Sequence, residues 1–99
     1  AWCSFLAGKQ EQAQRYYEKI LNNKPTPIDY MNAGHIEFVL KNLNKTVELY
    51  RKSIENDKGN KELFLNNFKQ DIKYLIQAGI SANDIPLLID QLMYSLESV

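Results

Sequence analysis

His35 is the chain's one histidine, and it lies in "NAGH", a few residues after two prolines in the stretch "KPTPIDYMNAGHIEFVLK". A catalytic imidazole needs a nucleophile or a carboxylate within hydrogen-bond reach. On a helix its neighbours three and four residues away are Met31, Asn32, Phe38 and Val39, and none is either of these. The spacing predicts a polar residue on a helix face, in contact with water or a bound peptide, and not a general base. Cys3 stands beside Trp2 with no basic residue at helical spacing to stabilise a thiolate, which predicts a small buried hydrophobe. One cysteine and one histidine cannot furnish a Cys/His zinc site, and a lone cysteine excludes an intramolecular disulfide, in keeping with a reducing compartment. Glu62, Asp71, Asp84 and Asp90 have the chemistry of an acid/base or metal set. Their spacing fits no calcium-wrapping loop, so they are expected on the solvated surface. Gly34 sits inside a helical run and lacks the companion glycines of a phosphate-binding loop. These residues predict no catalytic centre, no metal and no cofactor.

The composition points the same way. The 99 residues carry 12 basic and 12 acidic side chains, so there is no basic excess to neutralise phosphates or seek an anionic bilayer. Neither nucleic acid nor membrane is an expected partner. No apolar run approaches the roughly 20 residues that span a bilayer. A chain of this size, 44% apolar, forms one domain with a modest core. Its opening, "AWCSFLAGK", reads like the last turns of a helix followed by a turn, which predicts further residues upstream in the full protein.

The elements that would position these residues are all helical. Lys9 to Asn23 places Ala13, Tyr16, Tyr17, Ile20 and Leu21 at three-and-four spacing before "NNKPTP" stops it. Thr26 with Pro27 and Asp29 forms a capping-box variant that opens a second helix, running to about Leu40. Asn42 or Asn44 begins a third, to about Asn56. Asn60 to Gln77 makes a fourth, with Leu63, Phe64, Phe68, Ile72, Leu75 and Ile76 as its apolar face and Gly79 beyond its end. Ser81 or Asn83 begins a fifth, whose buried stripe is Ile85, Leu88, Ile89, Leu92 and Leu96. No stretch alternates at period two. The fold class is all-α.

A shift of 33 residues aligns the chain with itself: Phe5 meets Phe38, Leu6 meets Val39, Ala13 meets Thr46, Tyr17 meets Tyr50 and Leu21 meets Ile54. Such a period signals stacked helical hairpins. The pattern resembles the tetratricopeptide repeat. Tyr30 takes the family's aromatic slot, Ala33-Gly34 its large-small pair, and Thr46 and Tyr50 its second-helix slots. Ala13, Tyr17 and Pro25 match in the preceding unit. The departures are Glu37 where a tyrosine is expected, Lys58 in place of a second closing proline, and Phe68 in a small-residue slot. The resemblance implies an α–α superhelix with a partial repeat at 1–25, a full repeat at 26–58 and a divergent C-terminal hairpin or cap at 59–99. The small residue lets two helices cross closely, and the aromatics fill the wedge between hairpins, none of which buries its apolar face alone.

The resemblance also implies a function. In this family the first helices of the hairpins line a concave groove that binds a peptide or helix of a partner. By register that groove here comprises Trp2, Phe5, Met31, Asn32, His35 and Phe38, with Leu65, Lys69 and Ile72 from the next hairpin. Trp2 and Phe5 have a second reading, packing against an upstream helix. If they are exposed, they would drive self-association through the N-terminal face. One subtype of the family grips a C-terminal carboxylate with basic residues. Asn32 matches its asparagine, but Glu62 and Asn66 stand where bases belong, so that ligand is not expected. The chain is similar to bacterial tetratricopeptide proteins, which implies a non-enzymatic, cytoplasmic scaffold. A secretion chaperone and a regulatory domain attached to an upstream enzyme are the alternatives.

Overall fold

The computed structural model describes residues 9–97, and within them the chain is five α-helices with no strand. They are α1 (Gln10–Leu21), α2 (Pro27–Val39), α3 (Leu43–Glu55), α4 (Lys61–Gln77) and α5 (Asp84–Glu97).

The boundaries follow local chemistry. At α2 the Thr26 hydroxyl accepts from the Asp29 amide at 3.2 Å and the Asp29 carboxylate accepts from the Thr26 amide at 2.9 Å, a complete reciprocal cap with Pro27 in the first turn. Asn60 caps α4 through the Leu63 amide. Asn42 precedes α3 but does not cap it; its side-chain amide donates to Glu37 instead. Three helices end in the same six-residue bonding pattern, in which the amide after a left-handed residue reaches back to a carbonyl five residues earlier, as Gly59 N does to Ile54 O past Lys58 after α3. Gly79 supplies the left-handed residue after α4, where Ile80 N bonds Leu75 O, and Lys41 supplies it after α2, where Asn42 N bonds Glu37 O.

α2 and α3 run antiparallel. Ser53, late in α3, donates its hydroxyl to the Pro27 carbonyl at the start of α2, at 2.7 Å. α1 lies against α2 in the opposite direction, since Gln14 near its start meets Glu37 near the end of α2. α4 packs on α2 and α3, and α5 packs on α3. The core is therefore centred on α2 and α3, with Ile36, Tyr50 and Ile54 fully enclosed.

Most of the expected stripes are buried, with exceptions at their edges. Phe64, Phe68 and Leu75 turn inward on α4, whereas Leu63 and Ile76 are exposed, because they flank that stripe and not its centre. On α5, Ile85, Leu88 and Leu92 are buried and Ile89 and Leu96 partly so. Of the tyrosines, Tyr17 and Tyr50 are core residues, but Tyr16 and Tyr94 are exposed. At Gly34 the Tyr50 ring of α3 lies close against the α2 backbone. A Cβ there would press into the ring of Tyr50, at 2.5 Å from Cδ1.

Candidate functional site

Residues 31 to 38 of α2 are buried except for Asn32, so this helix is enclosed nearly all round. α1 covers one side of it, α3 a second and α4 a third. His35 is thus fully buried, which corrects the expectation of a solvent-facing or peptide-facing imidazole. It also has the carboxylate partner that its helical neighbours do not provide. Nδ1 lies 2.6 Å from the Tyr50 hydroxyl on α3, and Nε2 lies 3.0 Å from Oδ2 of Asp71 on α4. Asp71, expected on the open surface, has a side chain only 24% exposed and closes this network from outside.

The proton positions follow from what each partner can do. A carboxylate only accepts, so Nε2–H donates to Asp71 and Nδ1 accepts from the Tyr50 O–H. Burial pulls the His35 imidazole below its ordinary 6.5, against the hydrogen bond and the negative charge of Asp71, which both push it up. Burial also raises the Tyr50 phenol well above 10.0, and the charge of Asp71 adds to that. An activated tyrosine would need the opposite shift. Tyr50 and His35 are both closed to solvent, and the rings of Phe64 and Phe68 pack at 5.4 and 5.6 Å from that of Tyr50. The arrangement is suited to fixing three helices in register.

A buried acid, Glu37, lies two residues further along α2. Glu37 accepts from Gln14 of α1 at 3.0 Å and from Asn42 at 2.8 Å, with Lys45 of α3 at 3.9 Å. Thus the polar residue in the slot where a tyrosine was expected joins α1, α2 and the start of α3. Among the described residues, no group of three His, Cys, Asp or Glu side chains could hold a metal ion. Nor is any helix there long and apolar enough to cross a membrane.

The remaining predicted groove residues differ in exposure. Met31 and Phe38 are buried, Asn32 and Leu65 are partly exposed, and Lys69 is exposed. Trp2 and Phe5 lie outside the described residues, as does Cys3. Where the starts of α2 and α4 come together there is a cleft of about 250 Å³, with Met31 and Phe64 in its wall and the exposed Ile28 and Leu63 beside it. Met31 therefore serves as floor to this face. Ile28 and Leu63 were not singled out by the repeat register, although their apolar character at the edge of a buried stripe was a usable signal. Asp71 offered a similar one: it follows Phe68 by three residues and precedes Leu75 by four, a polar residue in an apolar stripe.

No family model matches the chain, and neither a curated protein nor a solved structure does.

Proposed function

We propose that the chain is a non-enzymatic interaction scaffold of the tetratricopeptide type, acting in a bacterial cytoplasm, whose α2–α4 face holds a peptide or helix of a protein partner. The observation that carries this reading is the equivalence of α1 and α3. Ala13 and Thr46, 33 residues apart, are both fully buried, and so nearly are Tyr17 and Tyr50 at the same offset. In each helix a small residue and an aromatic one turn later are buried, and the Tyr50 ring meets Gly34 of α2. Equivalent helices packed through equivalent side chains are what stacked hairpins require.

The binding face follows from the register. By the repeat register α2 and α4 correspond as first helices, and α5 packs on α3. Where the starts of α2 and α4 adjoin, apolar Ile28 and Leu63 line a cleft, and the repeat register assigns Asn32 and Lys69 to the same face as adaptable polar groups. Apolar anchors with a polar rim suit peptide recognition. His35 contributes from beneath, through its bond to Asp71 of α4.

The test is capture of a partner from extracts of the source organism by the intact chain, repeated with Leu63→Asp and with Asn32→Asp/Lys69→Glu. All three positions are outside the core, so circular dichroism should be unchanged. The reading expects each variant to lose the same partner by about tenfold or more. Retention of that partner by both variants would overturn it.

A further inference from the structure

α5 buries Ile85, Leu88 and Leu92 on the rest of the protein, and its opposite face is unlike the other exposed helix surfaces. Leu87, Asp90, Tyr94 and Glu97 recur there at steps of three, four and three residues, which keeps them on one stripe. Leu87 is 62% exposed and Tyr94 74%. Beside the stripe lies a groove of about 460 Å³ between α5 and the end of α2, walled by Phe38, Leu43, Ile80, Leu87 and Leu88. Exposed leucine and tyrosine next to an apolar groove form a surface of the kind that a partner covers.

The charges indicate which partner. Every charged residue of α5 is an acid: Asp84, Asp90 and Glu97. The last turn has no base of its own, and Arg51 of α3 reaches Ser95 there at 3.2 Å, which leaves Asp90 and Glu97 as the acids of the exposed stripe. A second copy of the chain pairing α5 on α5 sets acid against acid in either direction. Lys41 and Asp84 both line the groove and their charges offset, so the acidic character of the surface lies along the stripe and not in the groove. We propose that this face docks a basic amphipathic helix. Its apolar residues would seat on Leu87, Tyr94 and the groove, and its lysines or arginines would flank them against Asp90 and Glu97. This surface is separate from the α2–α4 face and does not depend on it.

The test uses two synthetic peptides of about 18 residues, long enough to be helical on binding, with one leucine stripe at i, i+3, i+4 and i+7. One is flanked by lysine and the other by glutamate, and each is titrated into the intact chain by fluorescence anisotropy. The chain is neutral overall, so a difference between the peptides reports a local patch. The lysine peptide should bind at least about tenfold tighter than the glutamate peptide, and Leu87→Ser should weaken it by a similar factor. Asp90→Lys/Glu97→Lys should reverse the preference, a result that unfolding cannot mimic, while Glu11→Gln/Glu18→Gln on α1 should change nothing. Equal binding of both peptides, or no effect of the charge reversal, would overturn the proposal. So would Leu87-dependent self-association in sedimentation equilibrium that the lysine peptide fails to displace, which would assign the face to a second copy.

Discussion

The Tyr50 hydroxyl lies 2.6 Å from Nδ1 of His35, and this bond ties α3 to α2 at the middle of the core. One residue earlier on α2, Gly34 receives the edge of the same tyrosine ring. The ring and the hydroxyl of Tyr50 thus meet adjacent residues, one by contact and one by a hydrogen bond. His35 passes the connection on to α4 through Asp71. Stability and the geometry of the α2–α4 face both depend on this set of contacts.

Gly34→Ala should destabilise the protein by about 1–3 kcal/mol through overpacking, although alanine is the better helix former by about 1 kcal/mol. The new methyl would drive into a Tyr50 ring that Phe64 and Phe68 hold in place. Urea denaturation would measure it, and a higher midpoint for the variant would refute the close approach.

Tyr50→Phe removes the donor and leaves a buried Nδ1 without that partner, at a cost of about 1–3 kcal/mol. His35→Leu removes the acceptor in turn. The double variant should cost less than the sum of the two, because once one partner has gone the other has nothing left to lose. Additive losses in a thermodynamic cycle would show that the two residues do not depend on each other.

The buried imidazole makes stability depend on pH on the acid side. The folded-state pKa of His35 lies below the unfolded 6.5. Above 6.5 neither state binds the proton and His35 contributes no slope. As pH falls below 6.5 the unfolded chain takes up a proton that the folded chain refuses, so stability declines until the folded pKa is passed. The slope from this one group is at most about 1.4 kcal/mol per pH unit. His35→Asn should be less stable near neutrality and should lose this part of the slope just below pH 6.5. Identical pH profiles for the two proteins would contradict a neutral buried histidine.

Glu37→Ala should loosen α1 in particular. It strips the Gln14 and Asn42 amides of their acceptor, at about 1–3 kcal/mol. Amide exchange should speed up most along α1, which Gln14 fastens to α2. A uniform acceleration across all five helices would mean that Glu37 supports the whole fold and not this junction.

Lys41→Gly should stabilise the protein by roughly 0.5–1 kcal/mol, since lysine at φ 66° is strained and glycine there is not. Thermal denaturation would check it, and a lower melting temperature would show that the lysine side chain makes an offsetting contact.

The sequence by itself determined whatever is encoded within a turn or two of chain. The Thr26–Asp29 cap, the breaks at "NNKPTP" and Gly79, the all-α class and the inward stripes of α4 and α5 each depend on residues at most a few positions apart, and they were legible for that reason. The close packing at Gly34 was legible too, through the aromatic that recurs at Tyr17 and Tyr50. The tertiary structure alone decided the polar interior. His35 meets Tyr50 across 15 residues and Asp71 across 36, and Glu37 meets Gln14 across 23. On a helix wheel His35 is a polar residue with no partner. Only when α3 and α4 close around α2 does its desolvation become costly, and only then does a distant carboxylate stand where it can offset that cost.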